Sequence, residues 1–181
     1  MLIETRRLIL RAPIVEDISS WPLMGDDESV TANSGSNEDQ RRSWNEMFSI
    51  AGHWSLMGWG PLCAVEKQSG ALVGRFGPSK PFGWPCVEIG WMLLPHFQGK
   101  GYALEAAAAA MDFALLERGE ARVIHTIRPA NVASQRLART LGSINRGPIT
   151  LPAPYEHHSN DEWTQTREHW IENRTRLAIT S

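Results

Sequence analysis

Cysteine is scarce in this sequence, and its scarcity excludes a fold held together by disulfides. The 181 residues include only two cysteines, Cys63 and Cys86, which fall in predicted strands and form no C-x-x-C pair. Buried free thiols in a reducing compartment are the ordinary interpretation. The six histidines show no metal-ligand spacing and have no accompanying carboxylate cluster. We therefore expect no metal site.

A basic surplus and a long apolar run are also missing. Lys and Arg total 18 against 20 Asp and Glu, a formal net charge of −2, whereas nucleic-acid-binding surfaces are usually basic. The longest apolar stretch, 106–116, is interrupted by Asp112 and is far shorter than a membrane span. Residues 1–4 do not form a basic region followed by an apolar one. The sequence thus predicts a cytoplasmic protein without a nucleic-acid or membrane partner.

The rest of the composition is that of an ordinary globular chain. Hydrophobic residues make up 42% and charged residues 21%, and the length suits one domain, 1–181, with its own core. Two apolar segments, 61–66 and 71–76, flank a Gly-containing loop and predict a β-hairpin. Strands that alternate with helices indicate an α/β fold, and the hairpins indicate a mixed sheet.

The remaining elements follow from apolar periodicity and turn residues. Helices are predicted at about 15–24 and 38–51, on either side of a small, polar loop at 29–37. A helix at 131–141 has Asn131 as its N-cap and Gly142 just past its end. The other predicted elements are strands within 2–11, at 86–94, at 121–127 and at 162–167, and a helix running through Leu116 that Gly119 ends.

The stretch 87–119 carries the strongest functional pattern, a strand followed by a glycine loop and a helix. Gly99 and Gly101 stand just ahead of the helix and leave its first N–H groups open. Together with the helix dipole these donors form an anion site, most often for phosphate. A Walker loop needs Ser or Thr after its lysine, but Gly101 follows Lys100. A dinucleotide loop needs a third Gly or Ala where Leu104 stands.

The same stretch resembles the acetyl-CoA signature of the GNAT superfamily of N-acetyltransferases, Gln/Arg-x-x-Gly-x-Gly/Ala. Gln98, Gly101 and Ala103 stand at the three defined places of that signature. The resemblance implies an α/β fold with a central mixed, mostly antiparallel twisted sheet flanked by helices. It also implies acetyl-CoA as the cosubstrate and no metal.

The likeness extends over nearly the whole chain. Residues 3–11 are similar to the family's opening strand, and Asn131-x-x-Ser134 followed by Leu141-Gly142 is similar to a later segment on the acceptor side. These features point to the branch that acetylates the N-termini of ribosomal proteins (RimJ/RimL-like) and to its many bacterial relatives. In this family the two early helices form one wall of the acceptor pocket, so we expect substrate identity to be encoded there.

The resemblance also assigns residues to the cofactor. Gln98 would enter the phosphate loop and Lys100 would add charge. Backbone groups near Leu93 and Leu94 would pair with the pantetheine arm as an added strand does, and Asn131 would contact that arm. The pyrophosphate would be held by the N–H groups of Gly99, Lys100, Gly101, Tyr102 and Ala103.

Glu88 and Ser134 are the candidate catalytic residues. Glu88 interrupts an apolar strand, where a charge must be paired, solvated or functional. We expect it to deprotonate the acceptor amine through water, and the alternative is a structural ion pair with an arginine such as Arg75. Ser134 would give a proton to the coenzyme A thiolate or only hydrogen-bond the sulfur. Its alternative role is to satisfy backbone groups at a helix start.

These assignments predict direct attack of an amine on the bound thioester, because no Cys–His or Ser–His–Asp arrangement is present. The acceptor that the resemblance implies is a protein N-terminus. One alternative is a small amine such as a polyamine, an amino acid or an antibiotic, for which five acidic residues could form the pocket: Asp26, Asp27, Glu28, Glu38 and Asp39. The other is a module that binds coenzyme A without turnover. A homodimer is possible and would suit exposed tryptophans.

Overall fold

The computed structural model describes residues 1–21 and 37–177. Eight strands form one sheet. In chain order they are β1 (Leu2–Glu4), β2 (Leu8–Arg11), β3 (Leu62–Glu66), β4 (Leu72–Ser79), β5 (Val87–Leu93), β6 (Arg122–Ile127), β7 (Ile144–Ile149) and β8 (Asn160–Thr166). The α-helices of these ranges are α1 (Asn37–Met57), α2 (Tyr102–Met111), α3 (Val132–Leu141) and α4 (Arg167–Arg174).

The strands lie in the order β1-β2-β3-β4-β5-β6-β8-β7. All neighbouring strands are antiparallel except β5 and β6, which run parallel. The mixed, mostly antiparallel sheet flanked by helices is therefore confirmed. No helix in the described ranges is both long enough and apolar enough to cross a membrane.

The parallel strands β5 and β6 separate almost as soon as they meet. Only two residue pairs join them, Val87 with Val123 and Glu88 with Ile124. The rest of β5 pairs with β4 alone, as far as Leu93 opposite Gly74. On the side of β5 that faces away from β4, no described strand pairs with it from Ile89 onward.

Helix α2 packs its alanine run against the sheet. Residues 106–110 are all buried, and a Cβ built on Gly77 of β4 would lie 3.5 Å from the Cβ of Ala110. Small side chains on both elements thus allow the helix to approach the sheet closely. The helix continues as a π-helical segment, Asp112–Glu117, and Gly119 follows with φ +75°. The expected helix through Leu116 is therefore present, with a change of hydrogen-bond pattern after Met111.

Several elements differ from the sequence expectation. The first strand is a hairpin, β1 and β2, that turns where Thr5 N–H donates to Leu8 O (2.9 Å). A 3-10 helix covers Val15–Ser19, and the remainder of the expected helix at 15–24 lies mostly outside the described residues. Helix α1 runs past Gly52, because Trp54 Nε1 donates to Pro61 O (2.8 Å) and anchors its last turns. Tertiary contacts here override the local tendency of glycine to end a helix.

Strand β7 and helix α4 have no counterpart in the sequence prediction. Strand β7 is an edge strand and contains Arg146, Gly147 and Pro148, whose residue types favour a loop.

The predicted caps of α3 are confirmed: Asn131 Oδ1 accepts from Ser134 N–H at 3.0 Å, and Gly142 has φ +88°. Trp44 is an exposed tryptophan that stacks on Phe48 at 4.5 Å, and the homodimer stays a prediction.

At Gly74 the backbone of β5 lies too close to leave room for a side chain. A Cβ at this position would lie 2.1 Å from Met92 O and 2.9 Å from Leu93 Cα, both in the backbone of β5. We expect Gly74→Ala to lower the free energy of unfolding by about 3 kcal/mol, because the β4–β5 ladder must open to admit the methyl group. Urea unfolding measures this loss. Gly90→Ala on β5 is the matched control, since its Cβ would meet nothing within 4 Å, and an equal loss in both variants would contradict the prediction.

Candidate functional site

The loop between β5 and α2 has a backbone that glycine makes possible. Gly99 and Gly101 have φ of +72° and +79°, in the left-handed region that side chains disfavour. Gly101 is the N-cap of α2 and has no side chain with which to cap the helix. The predicted glycine loop is therefore present, directly ahead of the helix.

The first N–H groups of this helix point at no acceptor in the described part of the chain. From Gly99 to Leu104 no N–H group donates a hydrogen bond there, and the first helical bond runs from Glu105 N–H to Gly101 O at 3.3 Å. A row of open donors at the positive end of a helix stabilises an anion. The geometry fits the phosphate group that the sequence predicts.

Arg7 of the N-terminal hairpin holds this loop from outside. Its Nη1 donates to Lys100 O (2.9 Å) and its Nε to Glu105 Oε2 (2.7 Å). Thr5 Oγ1 donates to Glu105 Oε1 at 2.6 Å. Burial alone would raise the pKa of Glu105, but these hydrogen bonds and the guanidinium charge outweigh it and hold that pKa below its ordinary value. The negative charge of Glu105, which lies beside the candidate anion site, is thus neutralised by Arg7.

We expect Arg7→Met to destabilise the fold by about 2 kcal/mol, because it leaves the buried Glu105 carboxylate without its cation. Coenzyme A should also bind about fivefold more weakly, since Lys100 O loses its donor, a loss of roughly 1 kcal/mol. Urea unfolding and calorimetric titration test the two effects. The double variant Arg7→Met/Glu105→Gln should recover much of the stability, and a further loss in it would contradict this account.

Tyr102 belongs to the packing of the loop. Its hydroxyl donates to Glu66 at the end of β3, and its ring lies 4.3 Å from the Arg7 guanidinium. The phenol is therefore occupied within the chain. The N–H group is the part of Tyr102 that stays open.

Leu93 and Leu94 differ in how their backbones are used. Leu94 N–H donates to Val73 O (2.9 Å), and Leu94 O accepts from Phe97 N–H (3.0 Å). Hydrogen bonds alternate along an antiparallel pair, so the polar groups of Leu93 point to the other side, away from β4. Leu93 is the better placed of the two to pair with an added strand.

The Glu88 carboxylate is held by hydrogen bonds from two other elements. Oε1 accepts from Thr126 N–H (3.1 Å) and from the Thr126 hydroxyl, and Oε2 accepts from Trp84 Nε1 (2.9 Å). Arg75, the alternative partner, forms an ion pair with Glu46 at 2.8 Å. Glu88 therefore has no arginine partner among the described residues, and Oε2 keeps room for another donor.

Ser134 lies in the first turn of α3, where its hydroxyl faces β5. Its Oγ accepts from Trp91 Nε1 at 3.1 Å. Its N–H is capped by Asn131, so the helix-start role that sequence reasoning considered falls to the backbone of Ser134. The hydroxyl remains available.

One cavity of about 890 Å³ brings these groups together. Glu88, Asn131 and Ser134 all line it, whereas the phosphate loop 98–103 does not. Its described lining includes five Trp, Tyr and Phe side chains: Trp21, Phe76, Trp84, Trp91 and Tyr155. Strand β5 runs from the cavity at Glu88 toward the loop, so it links the two predicted regions.

Other residues of the cavity could not be found from the sequence. Trp84 and Thr126 hold Glu88, yet they belong to a proline-rich connection and to another strand, and no local pattern marks them. His158 lines the cavity together with Tyr155, from an exposed loop. Asp26, Asp27 and Glu28 lie outside the described residues, as do the side chains of Glu38 and Asp39. Across the described chain, no group of three or more His, Cys, Asp or Glu is placed to hold a metal.

The fold is that of an acetyltransferase, as comparison with known proteins shows. Residues 7–144 match the model of the acetyltransferase (GNAT) domain. The chain is 36% identical over 83 residues to the uncharacterized N-acetyltransferase YnaD of Bacillus subtilis, a match over 46% of this chain. That match spans 49%, about half, of the length of YnaD.

Solved structures share the fold over nearly the whole chain. An acetyltransferase from Agrobacterium tumefaciens superposes with a TM-score of 0.75 at 23% identity, covering 91% of this chain and 94% of that one. Ribosomal-protein-S5-alanine acetyltransferase from Vibrio fischeri has a TM-score of 0.67 at 14% identity, covering 94% and 98%. The chain belongs to the GNAT acetyltransferase family, and the predicted resemblance is confirmed. The family in general uses acetyl-CoA.

Proposed function

We propose that the protein transfers the acetyl group of acetyl-CoA to a primary amine by direct attack of the amine on the thioester. The observation that carries this proposal is one continuous arrangement along β5. Open N–H donors stand at the start of α2, the free side of Leu93 follows, and the cavity with Glu88 and Ser134 lies at the other end of the strand.

The residues of the loop fit the cofactor. The N–H groups of Gly99, Lys100, Gly101, Tyr102 and Ala103 would hold the pyrophosphate, with Lys100 adding charge and Gln98 at the start of the loop. Leu93, with Leu94 next to it, would pair with the pantetheine arm, and Asn131 would contact that arm. Acetyl-CoA supplies an activated acyl group, so the protein has mainly to position and desolvate the reactants.

Glu88 and Ser134 divide the proton transfers between them. Glu88 takes the proton that the amine loses as its nitrogen bonds to the acyl carbon, with water as the carrier. When the carbon–sulfur bond breaks, the Ser134 hydroxyl donates toward the sulfur. Both side chains line the same cavity, which supports opposite roles for them around one reacting centre.

A protein N-terminus is the acceptor that the charges of the cavity favour over a polyamine. Of the two glutamates in its described lining, Glu46 is paired with Arg75, which leaves the single negative charge of Glu88. Arg42 and Arg128 also line it, and neither has a carboxylate partner within the described ranges. Guanidinium groups repel a polycation, whereas a peptide carries one amine followed by neutral amides.

The proposal is tested in two stages. Thermal unfolding with acetyl-CoA, desulfo-coenzyme A and ATP shows whether the folded chain binds the cofactor, because a hundredfold excess over Kd stabilises by about 2.7 kcal/mol. Thiol release is then followed with peptides bearing free N-termini, the same peptides with blocked N-termini, free amino acids and spermidine. A shift with acetyl-CoA but not ATP, and turnover only with free N-termini, is the expected result.

Other outcomes are equally informative. No shift with acetyl-CoA would overturn the cofactor assignment and the transferase with it. Turnover of spermidine or of amino acids in place of peptides would establish a small-molecule acetyltransferase. Binding without turnover of any amine would indicate a coenzyme A-binding module.

A further inference from the structure

A hydrogen bond from Trp91 joins the separated end of β5 to the first turn of α3. Trp91 Nε1 lies 3.1 Å from Ser134 Oγ. The indole N–H can only donate, so the serine oxygen must accept, and its single proton points elsewhere. No described residue accepts that proton. Both side chains line the cavity, so the proton is free to face it.

Trp91 is itself held by His125, which fills the point where β5 and β6 separate. The two rings lie 4.7 Å apart between centroids, and His125 is only 1% exposed. Its Nδ1 lies 2.7 Å from Ile89 O, the first carbonyl of β5 beyond the paired residues. A hydrogen bond between the His125 side chain and Ile89 O thus takes the place of the next backbone hydrogen bond between β5 and β6.

The hydrogen bonds fix the tautomer of His125. Ile89 O can only accept, so Nδ1 carries the proton, and Nε2 accepts from the Ser143 hydroxyl at 2.9 Å. Ser143 has then used its proton, and the Gln165 side chain 3.3 Å from it must donate its amide N–H. That orientation gives the Gln165 nitrogen a partner and places the Gln165 oxygen at the position that has none among the described residues. Burial lowers the pKa of His125 to about 4, so the ring stays neutral near pH 7.

We propose that Trp91 is a positioning residue that fixes the Ser134 hydroxyl with its proton toward the leaving sulfur of coenzyme A. This inference rests on the proposed role of Ser134 and adds to it. A free serine hydroxyl rotates among several acceptors. With one lone pair occupied by the indole and the ring clamped by His125, the hydroxyl of Ser134 is oriented before the ligand arrives.

The test compares coenzyme A with desulfo-coenzyme A, which differ only at the sulfur, and it needs no acceptor. By calorimetric titration we expect the wild-type protein to bind coenzyme A about threefold or more tightly than the desulfo compound, the size of one hydrogen bond. Trp91→Phe keeps the ring and removes the N–H. It should lose that preference while its affinity for desulfo-coenzyme A stays within about twofold.

Three comparison variants separate positioning from packing. Ser134→Ala should lose the same preference, and Trp91→Phe/Ser134→Ala should lose no more than either single variant, because both changes remove one interaction. Trp163→Phe is the matched control. The Trp163 N–H is buried with no hydrogen-bond partner in the ranges that the structure describes, and its ring packs in the same cluster as Trp91, so this variant should keep the preference. If Trp91→Phe does not fold, Trp91→Met fills the space without an N–H.

The possible failures are distinct. A preference that survives Trp91→Phe but not Ser134→Ala would overturn the positioning role and leave Ser134 in place. A preference that survives Ser134→Ala, or a wild-type protein without any preference, would remove Ser134 from the sulfur and Trp91 with it. If neither compound binds the wild-type protein, the proposed function itself is wrong.

Discussion

Replacing Gly101 with valine is expected to abolish the thermal stabilisation by acetyl-CoA, with a fall in affinity of about 100-fold, or roughly 3 kcal/mol. Gly101 has φ +79°, a conformation that a β-branched residue adopts only under strain. Its Cβ would also lie 3.3 Å from Arg7 Nη2. The loop must therefore change shape, and the N–H groups that follow it would no longer converge on one anion.

Gly58→Val is the matched control for this experiment. Gly58 has φ +73°, and a Cβ on it would meet nothing within 4 Å. Gly58→Val thus introduces similar backbone strain just after α1, without altering the phosphate loop. We expect it to lower the unfolding midpoint of the free protein yet to keep the full shift with acetyl-CoA. Equal ligand shifts in both variants would mean that the loop does not hold the phosphates.

The glycine loop ahead of α2 could be predicted because it is encoded locally. Gly99 and Gly101 permit left-handed backbone and precede a run of helix-forming alanines, so neighbouring residues suffice to place open N–H donors. Asn131 and Gly142 are similar, since capping needs only a side chain or a positive φ at the end of one helix. Such features do not depend on how the chain folds elsewhere.

The partners of Glu88 could not be predicted, for the opposite reason. Trp84 reaches the carboxylate from an irregular connection, and Thr126 reaches it from β6 because the parallel pairing at Val87 and Glu88 sets that register. The plausible sequence partner, Arg75, is drawn instead to Glu46 on α1. Contacts of this kind depend on tertiary packing, which no local pattern encodes. The Trp91–Ser134 bond belongs to the same group.

Glu88→Gln is expected to lower kcat about 100-fold, the lower range of what a general base contributes. Glutamine has the same shape and can still accept from Thr126 through its oxygen, but it cannot take a proton from the amine. The affinity for acetyl-CoA should stay within about twofold, because Glu88 lies outside the phosphate loop. Steady-state kinetics with the peptide identified by thiol release, together with calorimetric titration of acetyl-CoA, measure the two quantities.

Glutamine also creates a conflict that must be separated from the lost base. If its oxygen faces Thr126, its amide nitrogen faces the indole N–H of Trp84, and two donors then meet where Oε2 accepted at 2.9 Å. Trp84→Phe/Glu88→Gln removes that second donor and should recover stability but not kcat. Trp84→Phe alone keeps the carboxylate and most of the rate. If kcat returns in the double variant, Glu88 serves to hold Trp84 and Thr126 in place, and another group must receive the proton of the amine.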